Sequence, residues 1–193
     1  MTRLAATLAL LMALAAPAAL AAPQTYALET EASEVGFVYR LMGQPTRGRM
    51  PVARAEIVID WQSLVATRAE VTLDVARAQA GLIFATQAMR GPQVLDAATH
   101  PAIRFRSTRT YATEGGAAME GALTVRGVTR PVTLDARFLV PPGSDGLADP
   151  AARDRLTIEL TGAISRDAFG ASGFPDVVGD RVDLAIRAVI RRR

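Results

Sequence analysis

From Val35 to Ile190 the strongest pattern of apolar and polar positions has a period of two. Val35, Phe37 and Tyr39 share one face of a segment. Ala55, Ile57 and Ile59 alternate with Glu56, Val58 and Asp60, and Val71, Leu73 and Val75 with Thr72, Asp74 and Ala76. Ile103, Phe105 and Ser107 oppose Arg104 and Arg106. Leu156, Ile158, Leu160, Gly162 and Ile164 oppose Thr157, Glu159 and Thr161, and Val182, Leu184, Ile186, Ala188 and Ile190 oppose Asp183 and Arg187. Successive side chains of a strand point to opposite faces, so each run predicts a strand with one face in a core and one in water. Turn residues punctuate the series at Gly43-Gln44-Pro45, Gly115-Gly116, Gly127 and Pro141-Pro142-Gly143. Short strands and turns repeated through the chain predict an antiparallel barrel or sandwich, not a βαβ fold. Closing such a sheet removes its unpaired edges.

One stretch departs from this period. Between Ala80 and Leu95 apolar pairs fall four apart, Phe84 with Ala88 and Ala85 with Met89, which predicts a short helix ending at Gly91-Pro92. Such a helix in an all-β chain is placed to plug or lid one barrel end. The run from Pro141 to Pro150 has turn residues and no periodicity, and reads as a flexible loop between two late strands. At the N-terminus, Arg3 precedes an apolar run from Leu4 to Leu20, and Ala19-Leu20-Ala21 has the small-x-small form of a cleavage site. Residues 1–21 are therefore expected to be a signal peptide and residues 22–193 one secreted, periplasmic domain.

Composition narrows the chemistry. The 193 residues contain no cysteine, so disulfides, thiol catalysis and cysteine zinc sites are excluded. The net charge of +3 is spread among acids along the chain, and only Arg191-Arg192-Arg193 cluster. That tail reads as solvated, with weak attraction to anionic lipid surfaces as the sharper alternative and no nucleic-acid partner implied. The one histidine, His100, precedes Pro101 and reads as a turn residue entering a strand at Ala102. Asp74 and Glu159 fall on polar strand faces, which favours solvated charge over paired acid–base work. No catalytic residue and no metal site are assigned. The apolar residues say more: Phe37, Tyr39, Phe84, Met89, Phe105 and Phe169 are candidates for the barrel interior and for contact with a bound ligand. With aromatic residues at 5% and inward positions often Val, Ala, Ile or Gly, a barrel of about eight strands has room for a cavity.

Three ordered motifs carry a family resemblance. They are Leu123-Thr124-Val125-Arg126-Gly127-Val128-Thr129-Arg130-Pro131-Val132-Thr133-Leu134, then Val94-Leu95-Asp96 with His100-Pro101-Ala102-Ile103-Arg104-Phe105-Arg106-Ser107, then Ile164-Ser165-Arg166-Asp167-Ala168-Phe169-Gly170. From about Tyr26 to Ile190 the chain resembles the YceI-like, polyisoprenoid-binding family of bacterial periplasmic proteins. The resemblance implies a lipocalin-like antiparallel β-barrel with one short helix. Its interior would take an isoprenoid chain, such as a quinone tail or a polyprenyl phosphate, with no cofactor and no catalysis required. Against the family pattern, Leu95 replaces a phenylalanine, Ala32 stands where a histidine often precedes serine, and Arg40 stands where another histidine commonly follows the first strand. A changed or absent polar head group is the expectation at Ala32 and Arg40, with Arg40 read as a surface residue or as a partner for a phosphate or quinone carbonyl. Two other readings stand beside the carrier. One is a non-catalytic envelope interaction or stress-response module whose barrel is filled by side chains; the other is an enzyme acting on a lipid-like substrate, which would need a polar cluster at the barrel mouth.

Overall fold

The computed structural model describes residues 22–139 and 146–193. The expected leader and the turn residues Pro141-Pro142-Gly143 lie outside the described residues. The strands are β1 (Gln24–Leu28), β2 (Glu34–Leu41), β3 (Gln44–Arg49), β4 (Val52–Ile59), β5 (Arg68–Asp74), β6 (Ala102–Thr113), β7 (Gly116–Val125), β8 (Val128–Leu139), β9 (Arg155–Ser165) and β10 (Val178–Arg192). The helix α1 (Ile83–Arg90) sits between β5 and β6, inside the stretch where the sequence loses its period of two.

All pairings are antiparallel, and the sheet runs β1-β4-β5-β6-β7-β8-β9-β10 before β10 returns to β1. The closing contacts are Tyr26 opposite Arg192, Ala27 opposite Arg191 and Leu28 opposite Ile190. The same strand β10 pairs with β2 farther along, from Val178–Leu41 to Arg187–Glu34. β1 and β2 thus lie end to end, as do β3 and β4 beyond them, so the ten strands form a closed barrel of eight staves. The inward sets read from the sequence meet one another across the seams. Ala55 faces Val71, Val71 faces Phe105, Phe105 faces Leu123, Leu160 faces Ile186, and Ile186 faces Val35. The outer wall carries charge, including the pairs Arg106–Glu70 at 2.9 Å and Arg181–Asp183 at 2.7 Å. Apolar inside and charged outside is the reverse of a membrane-spanning barrel.

The turns follow backbone chemistry. Met42-Gly43 and Arg126-Gly127 are two-residue hairpin loops with positive φ throughout, 49° and 77° in the first and 50° and 76° in the second. That geometry matches strand twist and needs glycine at the second position. The expected Gly43-Gln44-Pro45 turn is accordingly shorter than read, because Gln44 and Pro45 already belong to β3. A proline fits there because β3 is a terminal strand with one unpaired side. Likewise Gly115 lies in a turn, but Gly116 begins β7.

The two barrel ends differ. One is packed shut by Tyr26, Ile59, Leu156 and Ile190, with Trp61, Phe138 and Leu147 against them. Tyr26 is 1% exposed and Ile190 is 0% exposed. Trp61 Nε1 donates to the Tyr26 hydroxyl at 3.1 Å, which in turn donates to Gln24 Oε1 at 3.0 Å. This plug also corrects the loop expectation in its second half. Gly146–Ala148 and Ala151–Arg153 form short 3-10 turns, because Leu147 packs into the plug and the Arg153 guanidinium lies 4.8 Å above the Trp61 ring. At the other end stand α1 and the turn before β6, where the His100 N–H donates to Asp96 O at 2.7 Å as β6 is about to begin. Truncation of the plug should be costly: Tyr26→Ala is expected to destabilise by about 3–5 kcal/mol. Tyr26→Phe, which loses only hydrogen bonds, is expected to cost about 1 kcal/mol, both read from urea unfolding midpoints.

Candidate functional site

Above the plug the side chains do not fill the barrel. They leave a cavity of about 420 Å³, within the range of ~300–1,000 Å³ typical of small-molecule pockets. Its wall draws on nearly every stave, with Val35, Ile57, Val71, Leu123, Leu160 and Leu184 among the lining residues. Val35, Ile57, Val71, Leu160 and Leu184 point inward yet remain only partly buried, because the surface they retain faces the cavity. A close-packed interior would cover such residues completely.

All six sequence candidates, Phe37, Tyr39, Phe84, Met89, Phe105 and Phe169, line this cavity, though they do so differently. The Phe37 ring lies over Gly48 on β3, and the Phe105 ring lies over Gly121 on β7; a methyl group at either glycine would collide with the ring. Each phenylalanine thus lies flat against a neighbouring strand that lacks a side chain, and contributes apolar wall without crossing the space. Phe169 is buried in a 3-10 turn after β9, packed with Met50, Leu95 and Leu123. Met89 projects from α1 between Phe37 and Tyr39 on one side and the core below. Phe84, from the first turn of α1, lines the cavity and is also exposed outside, so it stands in the opening.

Tyr39 serves a second purpose. Its hydroxyl donates to Ala80 O at 2.8 Å, and burial pushes its ionisation above the ordinary tyrosine range. The Ala80 N–H donates to Thr86 Oγ1 at 2.9 Å, and Arg90 donates to Ala78 O from Nε at 2.9 Å and from Nη2 at 2.6 Å. The segment before α1 is thereby fastened both to the barrel wall and to the helix, which fixes the lid over the mouth. Where β3 and β5 diverge, Gln79 bridges to Arg49.

Apart from the Tyr39 hydroxyl, the polar side chains that line the interior are Ser33 and Arg166; Arg187, also at the wall, is an exposed outer-face residue of β10 between the inward Ile186 and Ala188. Ser33 donates to Val189 O at 3.3 Å and accepts from the Val189 N–H at 2.9 Å. Arg166, only 7% exposed, belongs to the third motif and is not among the six candidates that the sequence points to. Its guanidinium donates to Gly179 O at 3.1 Å, Gly173 O at 2.8 Å, Val178 O at 2.9 Å and Ala171 O. Four of its five N–H groups therefore hold the loop between β9 and β10 against the barrel rim. The nearby Asp180 carboxylate accepts from the Asp167 N–H at 2.9 Å and the Ser165 hydroxyl at 2.8 Å. The Asp167 N–H above all, aided by Ser165 and the Arg166 charge against a burial effect, holds the Asp180 carboxyl below its usual range. Arg40 points outward and donates to Gly43 O at 2.9 Å, and Ala32 lies exposed in a 3-10 turn, so neither reaches the cavity. Asp74 and Glu159 belong to β5 and β9, which are not neighbours in the sheet.

Comparison with known proteins gives three kinds of likeness. The family model described as YceI-like domain matches residues 26–190. A UPF0312 protein of Serratia proteamaculans (strain 568) is 31% identical over 103 residues, 53% of this chain. The match spans about half of that relative, 51% of its length. The crystal structure of Burkholderia cenocepacia BcnA superposes with a TM-score of 0.70 at 24% identity, over 84% of this chain and 99% of that one. A polyisoprenoid binding domain from Saccharophagus degradans implicated in plant cell wall breakdown superposes with a TM-score of 0.61 at 12% identity, over 88% and 99%. These structures share the lipocalin-like barrel.

Two outcomes follow from the rim. Arg166→Ala leaves four carbonyls without their donor and is expected to cost about 3 kcal/mol or more in urea unfolding. Asp180 has a folded pKa below its unfolded value, so the stability it supplies is complete above the unfolded carboxylate range near pH ~4 and is lost as pH falls through the folded value. Asp180→Asn should flatten the acid side of a plot of thermal midpoint against pH and leave the neutral side unchanged in slope.

Proposed function

The chain belongs to the YceI-like domain family, and from that membership and its apolar barrel interior we propose that it is a periplasmic carrier. Its ligand is the long apolar chain of an isoprenoid lipid, a polyprenyl or quinone tail. The observation that carries this reading is the cavity itself: hydrocarbon wall on nearly every stave, with inward residues left partly uncovered. The likeness to a protein described as a polyisoprenoid binding domain supports the ligand class. The apolar run Leu4–Leu20 with its small-residue exit supports export.

The chemistry of the wall favours a bare hydrocarbon. Ser33 is paired with Val189, the Tyr39 hydroxyl is spent on Ala80, and Arg166 is largely spent on carbonyls. A polar head buried beside such a wall would lose its water without gaining partners. The tail enters and the head stays at the mouth. Burying about ten CH₂-sized groups at ~0.8 kcal/mol each yields roughly 8 kcal/mol, or micromolar affinity before association costs. Longer tails that fill more of the wall bind more tightly. Shelter of this kind needs no group that makes or breaks a bond. The side-chain-filled module is the weaker reading, since the side chains leave about 420 Å³ between them.

Organic extraction of the purified protein, followed by mass spectrometry, is expected to release an isoprenoid lipid, and delipidated protein is expected to take up added polyprenol or isoprenoid quinone. Ala55→Trp and Val71→Trp each project a large ring into the cavity. Each should reduce that uptake at least tenfold while the unfolding midpoint stays within the range of other tolerated core changes. No extracted lipid together with no uptake would overturn the carrier.

A further inference from the structure

The barrel mouth is ringed by apolar side chains that the fold leaves in water. Eight large hydrophobic residues are exposed among the described residues, and six of them stand at this end: Met42, Leu82, Ile83, Phe84, Phe174 and Val177. Ile83 is 83% exposed and Met42 is 70% exposed. The six come from three segments: the β2–β3 turn, the start of α1 and the loop entering β10. The Met42 N–H donates to Val177 O at 2.7 Å and the Val178 N–H to Phe174 O at 2.9 Å, while Gly81 packs against the Arg47 carbonyl of β3. The ring is therefore built across neighbouring segments and is not a scatter of single residues.

Two of its members also sit where the backbone disfavours them. Met42 has φ 49° and Phe174 has φ 60°, the left-handed region that bulky side chains seldom occupy. At the first position of a Met42-Gly43-type hairpin loop, asparagine would serve the turn better. Exposed apolar bulk held in an uncomfortable conformation points to a use for the side chain outside the fold. Charge indicates what that use is. Arg40, Arg47 and Arg77 are exposed toward the same opening, and none of them takes part in the salt bridges among the described residues. Asp176, next to Val177, sits in the ring, and the exposed acids Asp167 and Asp180 lie beside it at the β9–β10 rim, tied to each other and to Ser165.

We propose that this ring docks the barrel, mouth down, on an anionic lipid bilayer: the apolar side chains enter the boundary between headgroups and acyl chains, and the arginines meet lipid phosphates. No helix among the described residues is long and apolar enough to cross a membrane, and the charged outer wall, with pairs such as Arg106–Glu70 and Arg181–Asp183, does not suit a hydrocarbon core, so the docking proposed is interfacial. Phe84, Phe174 and Val177 line the cavity as well as the rim, which makes the surface continuous from bilayer to interior. The docking reading goes beyond the carrier and does not require it.

The test uses the chain from Ala22 onward, which retains every strand of the closed barrel and lacks the apolar N-terminal run that would bind vesicles by itself. Flotation with phosphatidylglycerol–phosphatidylethanolamine vesicles is expected to carry the protein, with less bound to phosphatidylcholine alone and less as salt rises. The double variant Met42→Asn/Ile83→Glu suits a left-handed turn and a helix N-terminus, so its folding should be intact. It should bind vesicles at least tenfold more weakly while its thermal midpoint and its uptake of isoprenoid quinone from detergent solution match the parent. Asp176→Asn should tighten vesicle binding. Absence of vesicle binding by the parent at low salt, or equal binding by the double variant, would overturn the proposal. Self-association that disappears in the variant, without vesicle binding, would assign the ring to a second copy instead. Retained vesicle binding with no quinone uptake would count against the carrier and leave the docking standing.

Discussion

The structure depends on the closure of one antiparallel sheet, made by β10 pairing with β1 and β2 in turn. An open sheet with this much apolar surface on one face would need another layer to cover it; here the face covers itself. The constraint is strict, because a slip of one residue at any seam would turn a strand's apolar side chains to water and its arginines inward. That the inward residues meet across the seams, Val71 with Phe105 and Leu160 with Ile186 for example, satisfies it.

A barrel that leaves space inside cannot rely on a packed centre, and the stabilising contacts move to its two ends. At one, the buried Tyr26 and Ile190 and the partly buried Trp61 form a plug with their neighbours, joined by the Trp61–Tyr26–Gln24 hydrogen bonds. At the other, polar clasps do the work: Tyr39 to Ala80, Arg90 to Ala78, and Arg166 to the carbonyls of the β9–β10 loop. Two of these clasps, those of Tyr39 and Arg166, consume polar groups that line the cavity. The same contacts that hold the lid therefore also leave the wall apolar, which is the property that suits a hydrocarbon guest.

The middle of the barrel is held open by the way large residues are placed. Phe37 and Phe105 lie against Gly48 and Gly121 and so extend along the wall. Had the neighbouring positions carried side chains, the rings would have been pushed toward the centre and the interior would have filled. The open end gathers most of the exposed large apolar residues and the closed end a buried cluster, so the molecule is polar along its length in the directional sense: one end sealed, one end open.

Much of this was written in the one-dimensional pattern. The period of two names which side chains face inward, the break between Ala80 and Leu95 marks the helix, the missing cysteines remove whole classes of chemistry, and three motifs point to the family. Five of the six interior candidates reach the cavity wall because alternation and helical spacing are local properties; Phe169 reaches it from a 3-10 turn after β9, which neither period marks. What the chain could not declare locally are facts of distance between remote residues. The Arg166 clamp joins carbonyls that follow it across a loop, the 3-10 turns after residue 145 exist because Leu147 and Arg153 reach Trp61, and the β2–β3 turn is shorter than its glycine and proline suggest because β3 has a free side. Cavity and mouth alike arise only when the eight staves close, since neither the space left between facing side chains nor the gathering of Met42, Ile83 and Phe174 at one end is a property of any single segment.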